Sequence, residues 1–138
     1  MKKKIDNDVF NILKQDGVAN IDFNNENQLI VNINDIIAKN DKSESWSKRI
    51  INTDSNSATV ICQMPGEGNR RHYHSNWNEW WLILKGEWEF EIEGKINIIK
   101  EGQLILIKKN LKHKITAIGN KPAIRLAVSR SDVDHIYD

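Results

Sequence analysis

The stretch EWWLILKGEWEFEIE, residues 79–93, decides the fold. Its second half alternates strictly: Glu87, Glu89, Glu91 and Glu93 interleave with Trp88, Phe90 and Ile92. A period of two is that of a strand with one wet and one buried face. Before it, Lys85-Gly86 marks a turn, and Trp80 to Leu84 form an unbroken apolar run. If Glu79 points inward, parity sends Trp81 and Ile83 inward and Trp80, Leu82 and Leu84 to the other face. Both faces of that strand are then apolar, so the outer one needs a cover. The N-terminal segment or a second subunit is expected to supply it.

Moving outward from this hairpin, short apolar runs recur between turn signals. ATVICQM, RRHYH, INII, QLILI, HKITAI and AIRLAVS are separated by PGEGN, SNWN, KEG, KKNLK and GNKP. Strands at that spacing indicate an all-β sandwich or barrel. Upstream, residues 7–16 predict a short helix ended at Gly17, LIVNI (29–33) predicts a strand, and Asn34 or Asp35 caps a helical turn through Ile36 and Ile37. The organisation expected is an N-terminal extension over 1–48, a barrel over 49–130 and a tail over 131–138. A chain of 138 residues is long enough for one sizeable core.

The charge balance is nearly neutral, at +1. The densest basic cluster, Lys2-Lys3-Lys4, is short and terminal, so a nucleic-acid partner is not expected. No apolar run approaches the length that spans a bilayer, and the N-terminus lacks the apolar centre of a secretory signal. The single cysteine, Cys62, excludes an internal disulfide framework and suits a reducing compartment, which places the protein in the cytoplasm.

Glycine-rich phosphate loops and Cys-x-x-Cys pairs are absent from the sequence, which leaves histidine as the source of chemistry. His72 and His74 stand two apart and project from one face of a strand. Glu79 follows after the loop SNWN, and His113 opens a later strand. Three imidazoles and a carboxylate suit Fe(II), Mn(II), Zn(II), Ni(II) or Cu(II), and suit Mg or Ca poorly. Four such ligands leave up to two octahedral positions open. His135, in the polar tail SDVDHIYD, is expected to be exposed.

The spacing resembles a known family. Gly66, five residues, His72-x-His74, four residues, Glu79, six residues and Gly86 match the first cupin motif in full. Gly102, five residues, Lys108, one residue, Asn110, two residues, His113, three residues and Ala117 match the second in part. The family pattern has Pro, Gly and Asn at positions 108, 110 and 117, where this chain departs from it. Asn110 can still take the left-handed conformation that Gly would adopt there. The resemblance covers roughly residues 58–128 and implies a double-stranded β-helix, or jelly-roll barrel, with a metal inside. It also implies a homodimer.

Arg70 shares parity with His72 and His74 and is expected to reach a carboxylate or phosphate bidentately inside the cavity. Arg49 and Arg125 are weaker candidates for the same role. Inward Trp81 and Trp88 are expected to wall the cavity, and Trp77, between His74 and Glu79, to sit at its rim. The function expected is a mononuclear non-heme oxygenase, with Fe(II) favoured, acting on a small anionic molecule. The alternatives are an isomerase or lyase that uses the ion as a Lewis acid, and a non-catalytic metabolite-binding cupin.

Overall fold

A computed structural model describes residues 3–40 and 43–138. In chain order, β1 (Lys4–Asp6), α1 (Val9–Gln15), β2 (Asn20–Asp22) and α2 (Ile33–Lys39) precede the barrel. The barrel strands are β3 (Trp46–Asn52), β4 (Ser57–Gln63), β5 (Glu79–Lys85), β6 (Glu87–Ile92), β7 (Lys95–Lys100), β8 (Leu104–Ile107), β9 (His113–Ile118) and β10 (Ala123–Ser129). The last strand is β11 (His135–Tyr137). Six strands form one sheet in the order β2-β3-β4-β10-β5-β8, and three form the other in the order β7-β6-β9. These two faces make the double-stranded β-helix.

The hairpin that decides the fold behaves as its pattern requires. Trp81, Ile83, Trp88 and Phe90 point between the sheets and pack with Ile107, Ile115 and Ala117. Gly86 joins β5 to β6 at φ +74, and a Cβ there would meet the Ala123 Cα at 2.9 Å. Both the conformation and the close approach call for glycine. Asn110 takes φ +72, the left-handed state anticipated for it.

The outer face of the large sheet carries a second cluster, in which Trp46, Val60, Cys62 and Ile124 pack against Ile36 of α2. The N-terminal segment therefore supplies part of the cover that β5 requires. On the neighbouring edge strand β8, Leu104 and Leu106 stay 60% and 54% exposed.

Several expectations need correction. Residues 29–33 are not a strand: β2 already holds the edge beside β3, and the Asn32 side chain accepts from Asn34 and Asp35 backbone N–H groups to start α2. Leu29 and Ile30 are left exposed. The capping residue is therefore Asn32, ahead of Asn34 and Asp35. The barrel begins at Trp46, before residue 49, because Trp46 pairs with Cys62 across β3 and β4. The C-terminal segment is no loose tail, since β11 pairs antiparallel with β1. The helix α1 falls inside the expected residues 7–16, and Asp8 caps it by accepting from the Asn11 N–H. Its Leu13, with Val18 beyond it, packs on Ile61 of β4, so α1 roofs one end of the barrel.

Candidate metal centre

The segment that carries His72 and His74 is not a continuous strand. It is held by single bridges, His72 to His113 and Tyr73 to Ile136. The two imidazoles nonetheless share a side, with ring centroids 4.9 Å apart. His113, at the start of β9, stands 4.4 Å from His72 and 5.0 Å from His74. One ligand atom from each of the three histidines lies within 4.8 Å of the others. Glu79, at the start of β5, brings Oε1 to 3.7 Å from His74 Nε2.

Each of these rings is oriented by a backbone carbonyl. The Nδ1–H groups of His72, His74 and His113 donate to Arg70 O (2.7 Å), Asp134 O (2.6 Å) and Leu111 O (2.9 Å). A carbonyl can only accept, so a proton sits on Nδ1, and in the neutral ring Nε2 keeps its lone pair. Nε2 of both His74 and His113 is buried with no partner. Unpaired buried acceptors are costly, and a metal ion is the partner that this tautomer suits. The residues fit a divalent transition metal, and three buried histidines are able to bind one.

Electrostatics agree with that fit for His72 and His113, whereas at His74 burial is outweighed by Glu79 and Asp134, which raise its pKa. Burial, reinforced by the neighbouring imidazoles, pushes the His72 pKa well down and that of His113 to about 4, so both are neutral at physiological pH. Burial also works against the Glu79 carboxylate, yet the imidazoles beside it, His74 foremost, hold it ionised.

The remaining expected residues divide. Arg70 does not enter the cavity: its Nε donates to Asp16 at 2.6 Å, its Nη1 to Gln15, and its guanidinium covers the Tyr137 ring. The bridged segment breaks the strand parity that would have turned it inward. The inward arginine is Arg125, 3% exposed on β10. Its Nη1 donates to Gln63 Oε1 at 2.6 Å, its guanidinium lies over Trp81 and Trp88, and its Nε has no partner. Burial lowers its pKa to about 10, which leaves it cationic at neutral pH. Trp88 is wholly buried, does not line the cavity, and packs under the Arg125 guanidinium. Trp77 sits on an outer groove of about 340 Å³ under the Arg130 guanidinium.

His135 corrects the sequence reading outright. It is 8% exposed, and its ring lies 4.8 Å from His72 and 4.7 Å from His74. A three-residue strand in a polar tail carries no periodic signal, and its pairing with β1 and its bonds to residues 73–76 bring it inside. Arg125 was easier to find, as one charge in the apolar run AIRLAVS. Thr59, His72, Glu79, Trp81, Arg125 and His135 line a partly open cavity of about 60 Å³ beside α1.

The cupin domain profile matches residues 59–129, slightly more than half of the sequence. The chain belongs to the cupin family. No curated protein matches this cupin significantly. Among solved structures it is similar to a Bacillus halodurans protein, at 16% identity and TM-score 0.66, over 78% of this chain and 84% of that one. That likeness shows the fold alone. An RmlC-like cupin family protein of Methanocaldococcus jannaschii is 25% identical, with TM-score 0.60 over 68% and 86% of the two chains. A predicted oxalate decarboxylase of Thermotoga maritima is also 25% identical, with TM-score 0.59 over 63% and 80%. Among the described residues, no helix is long and apolar enough to cross a membrane.

Proposed function

We propose that this cupin is a mononuclear metal enzyme acting on a small carboxylate, with His72, His74, Glu79 and His113 holding the ion. The reading is carried by one arrangement: imidazoles that each donate Nδ1–H to a carbonyl stand beside a buried arginine and a small, partly open cavity. A space of this size admits roughly four or five waters, which favours a small substrate. Bound Fe(II), the favoured ion, would supply dioxygen activation, and Mn, Zn, Ni and Cu are the other candidates.

The chain's own groups have separate tasks in this scheme. Arg125 replaces Arg70 as the residue that fixes the substrate carboxylate, using donors that Gln63 leaves free. Trp81 and Trp88 hold the guanidinium plane from below. Val9, Ile12 and Leu13 of α1 line part of that cavity and narrow its access to water. Cys62, alone and buried, is consistent with a cytoplasmic protein. The exposed Leu104 and Leu106 on edge strand β8 favour a homodimer that covers them.

A Lewis-acid reaction without dioxygen is the second reading, supported by the small cavity and the likeness to a predicted oxalate decarboxylase. Oxygen uptake by the Fe(II)-loaded protein, measured across two- to four-carbon carboxylates, separates the two. Uptake with one acid, lost on Arg125→Met, supports the oxygenase. Product formed by Zn(II)- or Mn(II)-loaded protein with no oxygen consumed moves the assignment to the second reading.

A further inference from the structure

His135 has no place in the motif and lies outside the group of ligand atoms formed by His72, His74 and His113, yet its ring packs against two of those histidines. Two imidazoles bound to one ion at right angles, with metal–nitrogen bonds of 2.0–2.1 Å, bring their centroids to about 4.6 Å. The His135 ring meets those of His72 and His74 at 4.8 and 4.7 Å, within the same range as the separations among the three motif histidines. Its Nδ1 is buried with no partner. His135 also lines the small cavity with His72, Glu79 and Arg125.

The backbone on either side is pinned to the segment that carries His72 and His74. Asp134 O accepts from His74 Nδ1, and the Asp134 carboxylate accepts from the Ser75 N–H at 2.6 Å and from the Ser75 hydroxyl. Asn76 Nδ2 donates to Asp132 O at 2.9 Å. Beyond His135, Tyr73 and Ile136 exchange backbone hydrogen bonds of 3.2 and 2.9 Å. The backbone that carries the ring is therefore fixed beside that segment.

We propose that His135 is a fourth imidazole ligand of the metal centre. This rests on the metal reading above. With Glu79 also bound, a six-coordinate ion then has one position left, so a substrate carboxylate would reach the ion through one oxygen and Arg125 through the other.

X-ray absorption on the wild-type Zn(II) protein counts its imidazoles, and competition with a chromophoric chelator gives Zn(II) affinity for wild type, His135→Ala and His135→Asn. The expected result is four imidazoles in the wild type, three in either variant, and affinity weakened at least roughly tenfold. Three imidazoles in the wild type, or variants within about twofold of its affinity, overturn the assignment of His135 while leaving the three-histidine site standing. A wild-type protein that takes up no Zn(II) overturns both. If neither variant folds by circular dichroism, the imidazole count on the wild type decides alone.

Discussion

Replacing Gly68 by alanine tests whether the packing beneath the site is as tight as described. Gly68 sits against β9 through a single bridge to Thr116. A Cβ on it would lie 1.9 Å from the carbonyl oxygen of Ile115 and 2.8 Å from the carbonyl carbon. Both atoms are backbone, so no rotamer change relieves the clash, and the two segments must part by more than 1 Å. That same oxygen accepts the Asn69 N–H at 3.0 Å, while Asn69 Oδ1 accepts the Ile115 N–H at 2.8 Å. Losing both bonds costs about 1 kcal/mol each, and overpacking adds about 1–3 kcal/mol. The expected destabilisation is about 3–5 kcal/mol, a large share of the 5–15 kcal/mol typical of a domain. Urea unfolding followed by tryptophan fluorescence measures it as a lowered midpoint at unchanged slope. The displacement also reaches the site, because Ile115 is two residues from His113 and Gly68 O accepts from the Gln63 side chain that holds Arg125. Zn(II) affinity should fall with stability. A loss below about 1 kcal/mol would refute the argument, since no well-packed backbone contact absorbs such a clash so cheaply.

Three further outcomes follow. Arg125→Met should weaken binding of acetate and oxalate by roughly 10- to 100-fold in calorimetric titrations, the worth of a charge-assisted hydrogen bond, and unchanged affinity would remove Arg125 from the site. Burial raises the Cys62 thiol from 9.0 to about 11, so the native protein should resist Ellman's reagent at pH 8 and react only on unfolding. The sign is that of an acid whose folded pKa is raised: the contribution to stability is whole below pH 9 and disappears as pH rises through about 11. Leu104→Lys with Leu106→Lys should convert a dimer to a monomer in light scattering, whereas a wild-type mass near 16.0 kDa would end the dimer proposal.

The parts of this fold legible in sequence are those where one local pattern suffices. Alternation placed Trp88 and Phe90 inside, parity from Glu79 placed Trp81 and Ile83 with them, and motif spacing joined His72 and His74 to His113. Each depends on a strand period or a turn, both local properties. Arg70 was misread because a bridged segment does not keep strand parity. The helix at Ile33 was misread because the sheet edge that a strand would need is taken by β2. His135 escapes a sequence reading because its burial comes from pairing with β1 and with residues 73–76, both far from it in the chain. Its discovery enlarges the candidate centre from the motif outward.

The central claim is that the imidazoles of His72, His74 and His113 form a metal site. It is tested most directly by the metal content of protein purified without chelators, then reconstituted with Fe(II), Mn(II) or Zn(II) and desalted. About one equivalent of a divalent transition metal per chain is expected, falling to background in His74→Ala and His113→Ala variants that keep the wild-type circular dichroism spectrum. Less than roughly a tenth of an equivalent in the wild type, with every ion offered, would contradict the account.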